Sequence, residues 1–407
     1  MNVRLSPTKL KGSITIPPSK SMSHRALICA ALSEGESVVE NIILSDDIKA
    51  TISAMSELGA NFKVVENQVH VSGITIPPSV ASIDCNESGS TLRFIIPIAA
   101  ALGVATTFFG NGKLPERPIT PFLRELPKKN IAFAYNGTMP FAINGMLKAG
   151  TYELEGDISS QFISGLLFSL PLLDGDSQIN LTSPLQSKPY VDMTIDCMNK
   201  YGVQVTESED KYLIEGNQIY SLDRFEVEGD YSQAAFFLVA NALGSDIQCG
   251  GLDKDSLQGD KKIIEIIDSI KRDDGSLSPF NVNVGEIPDL VPILSVLASF
   301  CDGKSTITNA ARLRIKECDR LEAMQVCINA IGGEVTSTED SLIIKGVSSF
   351  KGGIVDSYND HRIAMAMAIA STKCENELTI NGAECVEKSY PHFFEDIKKL
   401  GGILDLK

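Results

Sequence analysis

The chain has 407 residues, 43% of them hydrophobic and 22% charged, with 52 acidic against 36 basic side chains and a net charge of -16. That length is more than one core usually holds, so two domains are expected, with apolar mass enough to fold both. The acidic balance argues against a nucleic-acid or anionic-membrane surface, and any anionic ligand must be held by a local group of cations.

From the N-terminus, MNVRLSPTKLKGSITIPPSK has no apolar run of the kind a secretory signal needs. The longest apolar stretch, Phe94 to Gly110, is broken by Pro97, Gly103, Thr106 and Thr107. It reads as a buried helix and the turn after it, not as a membrane span. Nine cysteines (Cys29, Cys85, Cys197, Cys249, Cys301, Cys318, Cys327, Cys374 and Cys385) lie singly, with no Cys-x-x-Cys pair. Neither a disulfide framework nor a zinc site is expected, and a cytoplasmic protein is.

Six segments open with small polar or charged residues and then turn almost wholly apolar. They are SMSHRALICAAL from Ser21, GSTLRFIIPIAAAL from Gly89, SSQFISGLLFSL from Ser159, YSQAAFFLVANAL from Tyr231, PDLVPILSVLA from Pro288 and DHRIAMAMAIA from Asp360. Helices apolar on every side are buried ones. Amphipathic helices alternate with them: DDIKATISAMSEL, PITPFLREL, PYVDMTIDCMNKY, KKIIEIIDSI, ECDRLEAMQVCINAI and PHFFEDIKKL. In the first of these Ile48, Ile52, Met55 and Leu58 make one apolar stripe.

Three of the amphipathic helices run into a repeated hairpin: GANFKVVENQVHVSG, GVQVTESEDKYLIEG and GGEVTSTEDSLIIKG. Each opens and closes on glycine at one spacing, 59 to 73, 202 to 216 and 332 to 346, around alternating apolar positions of half-buried strands. The chain therefore reads as six βα units, each with one buried and one surface helix, in two sets of three. Each buried helix enters through Ser, Asp, Gly or Pro, and its N-terminal N–H groups make an anion site. If the two sets face one another, several such ends converge on one cleft.

Cations crowd these helix mouths. Lys20 and Arg25 flank Ser21, Arg93 follows Ser-Gly-Ser-Thr, Arg362 follows Asp360 and His361, Lys188 sits in QSKPY, and Arg117 lies in PERPI. Arg312, Arg314, Lys316 and Arg320 share ARLRIKECDR, and Lys388 precedes Ser389. So many like charges need anions to neutralise them, and phosphate is the leading ligand. G-x-x-x-x-G-K-[ST] and a dinucleotide G-x-G-x-x-G are both absent, so neither an NTP nor NAD is implied. Among carboxylates, Glu317 beside Lys316 and Asp289 at a helix start are poised for acid–base work, although Asp289 equally suits an N-cap. His361 alone reads as a buried histidine, and Ser159 and Ser160 lack a His/Asp partner pattern and suit hydroxyl donors to an oxyanion.

PPSKSMSHRAL, SGSTLRF, PERPI, GDISSQFISGLL, QSKPYVDMT, GDYSQAAFF, IPDLVPIL, RIKECDRLEAM, YNDHRIAMAMA and EKSYPHFF occur in that order along the chain. In this the chain resembles the 5-enolpyruvylshikimate-3-phosphate synthase family over essentially its whole length. The resemblance implies an α/β fold of two similar domains, each of three βαβαββ repeats with buried parallel helices (an inside-out α/β barrel), and an active site in the interdomain cleft. Residues 1-18 and 229-407 would form one domain and 19-228 the inserted second. It implies transfer of enolpyruvyl from phosphoenolpyruvate to the 5-hydroxyl of shikimate-3-phosphate, by addition and elimination of phosphate. No cofactor or metal, no nucleic-acid or membrane partner, a monomer and closure of the domains over the substrates are expected.

Carried over by motif, shikimate-3-phosphate would be held by Lys20, Ser21, Arg25, Ser159, Ser160, Gln161, Ser187, Tyr190, Asp289 and Lys316. Phosphoenolpyruvate would be held by Lys20, Gly89, Arg117, Gln161, Arg320, Arg362 and Lys388. Asp289 would be the base on the 5-hydroxyl, Glu317 the acid toward the methylene carbon, and Lys20 would serve both binding and proton traffic. Two departures stand out: Glu87-Ser88-Gly89 where Asn-Ala-Gly or Asn-Ser-Gly is frequent, and Arg312 where Asn or Glu is. A carboxylate at 87 would repel a phosphate unless it pairs with a cation, for which Arg312 is an option, or points away. Two rivals fit less well. UDP-N-acetylglucosamine enolpyruvyl transferase carries a loop cysteine that GNGKLPERPI lacks. A non-catalytic anion-binding protein would not be expected to keep Lys20, Asp289, Glu317 and His361.

Overall fold

A computed structural model describes residues 1–407, which divide into two compact units: Pro18–Glu228, and Met1–Pro17 together with Gly229–Lys407. Pro18 thus belongs with the inserted segment, one residue earlier than the boundary expected after residue 18.

In the unit 18–228 the helices alternate as the sequence pattern predicts. They are α1 (Lys20–Leu32), α2 (Asp46–Glu57), α3 (Gly89–Ala101), α4 (Thr120–Glu125), α5 (Ser160–Ser169) and α6 (Lys188–Lys200). Helices α1, α3 and α5 are buried almost throughout, whereas α2 and α6 bury one stripe each. Phe94 of α3 joins the three buried helices, edge-on to His24 of α1 at 6.4 Å and to Phe168 of α5 at 5.4 Å between ring centroids.

Three four-stranded sheets surround them, all with one order. Val80–Asp84 runs parallel to Ala105–Phe109, which pairs antiparallel with Phe141–Asn144, and Ala132–Ala134 lies outside. Ala105–Phe109 is a strand where a turn after the apolar run was expected: Gly103 ends the helix, and Thr106 and Phe108 point inward while their neighbours do not. Thr151–Leu154, Ser177–Leu181, Lys211–Ile214 and Thr206–Ser208 repeat the pattern. So do Arg224–Glu226, Glu36–Glu40, Gln68–Ser72 and Asn61–Val65, except that the leading strand comes last in the chain. Each sheet with its two helices is one βαβαββ repeat.

The second unit carries α7 (Tyr231–Ala242), α8 (Lys262–Ile270), α9 (Val291–Ala298), α10 (Arg320–Ala330), α11 (His361–Ala370) and α12 (Phe393–Lys399). Helices α7, α9 and α11 pack on one another at its centre. One repeat is complete: Asn281–Asn283, Lys304–Thr308, Leu342–Lys345 and Glu334–Ser337. Another, Gly353–Asp356, Leu378–Asn381, Val3–Leu5 and Leu404–Leu406, takes its third strand from the chain's N-terminus. In the remaining repeat only Lys11–Thr15 and Asp246–Gly250 pair as strands, and the hairpin shrinks to a bridge between Lys271 and Leu277. No helix is long and apolar enough to cross a membrane.

The recurring glycine pair has two separate causes. Gly59, Gly202 and Gly332 end surface helices with φ of 109°, 85° and 95°, values a side chain resists. At Gly73, Gly216 and Gly346 a Cβ would overlap a backbone carbonyl just past a buried helix, that of Ser33, Leu173 and Cys301 respectively. Hairpin and helix end therefore touch backbone to backbone. Gly346→Ala is expected to cost on the order of 3 kcal/mol in urea unfolding; a loss below about 1 kcal/mol would contradict the close approach.

Candidate active site

The mouths of the buried helices in unit 18–228 gather the cations that the sequence marked. Ser19 caps α1, its Oγ accepting from Met22 N at 3.3 Å. The next residue, Lys20, donates to Asp47 Oδ2 at 2.8 Å, and both side chains are mostly shielded from solvent. Arg25, buried one turn on, donates from Nε to Thr194 Oγ1 (2.8 Å), from Nη1 to Ser21 O (2.6 Å) and from Nη2 to Tyr190 O (2.7 Å). Its guanidinium also lies 5.4 Å from the centre of the Phe94 ring. Burial without an ionised partner pushes Arg25 down to about 10, so it keeps its charge at neutral pH. Ser187, whose carbonyl accepts from Tyr190 N at 3.1 Å, is buried with φ 58°, a left-handed backbone unusual for serine.

A second cluster links α3 and α5. Ser88 and Ser159 cap these helices, accepting from Thr91 N at 3.2 Å and Gln161 N at 3.3 Å. Arg93 donates to Gln161 Oε1 at 2.7 Å and to Pro118 O at 3.1 Å, while Gln161 Nε2 donates to Ser90 Oγ at 2.9 Å. Arg117 lies directly over Gly89, its Nη1 only 2.7 Å from where a Cβ would stand. Glu87 turns its carboxyl group onto Gly112, against the space a side chain there would need. Beneath both clusters a buried chain of hydroxyls runs from His24 Nδ1 to Thr51 (2.7 Å), Thr91 (2.7 Å) and Ser88 (2.8 Å). Burial, with Lys20 and Arg25 nearby, holds His24 well below its ordinary pKa and therefore neutral.

The second unit builds its cluster from opposite charges. Arg320, buried, donates to Asp360 Oδ2 (2.7 Å), Asp289 Oδ1 (3.0 Å) and Glu317 Oε2 (2.9 Å). Arg362 donates to Asp289 Oδ2 (2.8 Å) and Ser232 Oγ (3.1 Å), and its backbone N–H is capped by Asp360 at 2.9 Å. Asp289 sits in the 3-10 turn Pro288–Leu290 that leads into α9 and caps nothing; its carboxylate goes to the two arginines instead. Burial alone would raise its pKa. Arg362, Lys316 and Arg320 together outweigh that and hold it well below the carboxylate range. Lys388 donates to Asn359 O at 2.7 Å, placing it beside Asp360. Arg314 pairs with Asp319 at 2.5 Å, and Arg312 donates to Gly285 O at 2.7 Å.

Within unit 18–228 the structure thus brings together Ser21, Arg25, Ser187 and Tyr190, and separately Gly89, Arg117, Gln161 and Ser159, with Ser160 next to Ser159 on α5. Within the other unit it groups Asp289, Lys316, Glu317, Arg320, Arg362 and Lys388. Lys188 does not join its motif neighbours: it pairs with Asp192 and Glu207 across α6. Sequence reasoning overlooked Asp47, Thr194 and Asp360. Asp360 alone carried a signal, as the capping residue of the last buried helix.

Two units of repeated βαβαββ architecture, with buried cations gathered at their helix mouths, define an α/β protein built to hold small anions. The family model for EPSP synthase (3-phosphoshikimate 1-carboxyvinyltransferase) matches residues 5–397, and the chain belongs to that family. Proteins named 3-phosphoshikimate 1-carboxyvinyltransferase are similar along nearly their whole length. That of Clostridium perfringens is 47% identical over 99% of both chains, and that of Clostridium acetobutylicum 49% identical over 98% of this chain and 97% of its own. A solved EPSP synthase structure from Acinetobacter baumannii covers 100% of both chains at 25% identity with a TM-score of 0.83.

The neutral His24 sets a pH dependence. The unfolded chain takes up a proton near pH 6.5 that the native state refuses, so stability is full above that value. It falls below it by up to about 1.4 kcal/mol per pH unit. His24→Gln should flatten the fall in urea-unfolding stability between about pH 6.5 and 5. An unchanged slope would assign the proton elsewhere.

Proposed function

We propose that the protein transfers the enolpyruvyl group of phosphoenolpyruvate to the 5-hydroxyl of shikimate-3-phosphate and releases phosphate. The observation that carries this reading is the pair of buried guanidinium groups, Arg320 and Arg362, on the one carboxylate of Asp289, in a chain of this family.

In this reading the reaction is addition followed by elimination. The 5-hydroxyl oxygen bonds to C2 of phosphoenolpyruvate as Asp289 takes its proton and Glu317 delivers one to the methylene carbon. The tetrahedral intermediate then expels phosphate and loses a proton from the new methyl group, restoring the enol ether. Lys20, Ser21, Arg25, Ser159, Ser160, Gln161, Ser187, Tyr190 and Lys316 bind shikimate-3-phosphate. Lys20, Gly89, Arg117, Gln161, Arg320, Arg362 and Lys388 bind phosphoenolpyruvate. No cofactor takes part, and the protein acts as a cytoplasmic monomer.

Asp289 held this far down is a poor base. A phosphoenolpyruvate carboxylate on Arg320 and Arg362 takes over as their counterion, and the proton affinity of Asp289 then rises toward what abstraction needs. Two anions meet only where charge is neutralised beforehand, which arginines fixed by packing supply without reorganisation.

Phosphate release should require both substrates together; release from phosphoenolpyruvate alone would indicate a phosphatase instead. Asp289→Asn should lower kcat at least about 100-fold while shikimate-3-phosphate still binds. Turnover within about tenfold of the parent would remove Asp289 from the role of base. Gly89→Ala places a methyl group against Arg117 Nη1 and should raise KM for phosphoenolpyruvate about tenfold or more, with KM for shikimate-3-phosphate nearly unchanged. Equal rises in both constants would contradict the assignment of Arg117.

A further inference from the structure

Arg93 has no substrate role in the reading above, yet its side chain is buried and spends its donors on two site elements. One N–H goes to the Gln161 side-chain carbonyl and another to the backbone carbonyl of Pro118, the residue after Arg117. The guanidinium lies 5.0 Å from the centre of the Phe162 ring, which fixes its plane. Its position is set by helix packing. A Cβ on Gly165 would overlap the Arg93 carbonyl oxygen, so α5 rests on α3 backbone to backbone, and Gln161, one turn earlier, falls beside Arg93.

A guanidinium can only donate, so the Gln161 atom facing Arg93 must be the amide oxygen. The NH2 group is thereby turned the other way. One of its hydrogens is taken by Ser90 Oγ, and the second is not spent on Arg93. Without Arg93 the amide could flip and present a carbonyl oxygen to an anion. Through Pro118 the same guanidinium holds the loop that lays Arg117 over Gly89.

We propose that Arg93 is a positioning residue for the phosphoenolpyruvate contacts, fixing the donor orientation of Gln161 and the place of Arg117 at once. This rests on the reaction proposed above. It assigns to Arg93 no contact with substrate.

The test is steady-state kinetics of Arg93→Met, which keeps volume but no donor, with Arg93→Lys as a second variant that keeps the charge but not the two-pronged geometry. KM for phosphoenolpyruvate should rise at least about tenfold in Arg93→Met and less in Arg93→Lys, with a clearly smaller rise in KM for shikimate-3-phosphate, because Gln161 serves both substrates in that reading whereas Arg117 serves phosphoenolpyruvate alone. Gln161→Ala combined with Arg93→Met should lose less kcat/KM for phosphoenolpyruvate than the product of the single losses, because part of the Arg93 effect passes through Gln161. Equal rises in both KM values, or losses that multiply, would overturn the proposal. If Arg93→Met does not fold, an unchanged KM for phosphoenolpyruvate in Arg93→Lys overturns it alone. Failure of the parent protein to turn over both substrates would instead strike the reaction itself.

Discussion

A guanidinium taken out of water must be surrounded by acceptors, and the helix mouths of this protein are organised around that requirement. The two units meet it differently. In unit 18–228 Arg25 and Arg93 donate to backbone carbonyls, a threonine hydroxyl and an amide oxygen and lie against aromatic faces, none of which carries charge. The charge of Arg25 is not compensated by these partners, and burial pulls its pKa down accordingly. In the other unit Arg320 has three carboxylates, whose attraction outweighs its burial and raises its pKa. An anion arriving at the first set adds neutralisation. One arriving at the second must compete with Asp289, and that competition couples binding to the basicity of the group proposed as base.

The repeat architecture makes such burial affordable. Three βαβαββ repeats per unit bring three helix beginnings together, and α1, α5 and α9 are each held by a hairpin whose closing glycine lies on the backbone beyond the helix end. Packing at backbone distance leaves the helices little room to shift, so side chains at their mouths keep their angles. Gly165 does the same between α3 and α5. The one repeat with a reduced hairpin, around the Lys271–Leu277 bridge, still supplies α7, whose cap Asp230 accepts from both Ser232 N and Gln233 N.

The helices, the three hairpins and the motif residues were legible because each leaves a local mark: an all-apolar run, an alternation, a glycine spacing. The partners that hold those residues were not. Thr194 meets Arg25 across 169 positions, Asp360 meets Arg320 across 40, and Asp47 meets Lys20 across 27. Each also has an adequate local explanation. Asp47 in the first turn of α2 looks like an ordinary response to the helix dipole, and Thr194 looks like one more small residue on an amphipathic helix. Periodicity reports which face is buried, but not which polar atom on that face finds which other.

Glu87 illustrates the same limit from the opposite side. Read along the chain, a carboxylate two residues before Gly89 threatens any phosphate near that glycine. In the structure its side chain folds across Gly112, in the loop that leads to Arg117, and occupies the volume a side chain at 112 would fill. Gly112 also has φ 56°, so its backbone favours glycine independently. A side chain at 112 would meet the flexible end of Glu87 and displace its carboxylate from the surface it rests on. The departure from the family pattern at 87 and the glycine twenty-five positions later thus meet in space, a contact that reading along the chain does not reveal.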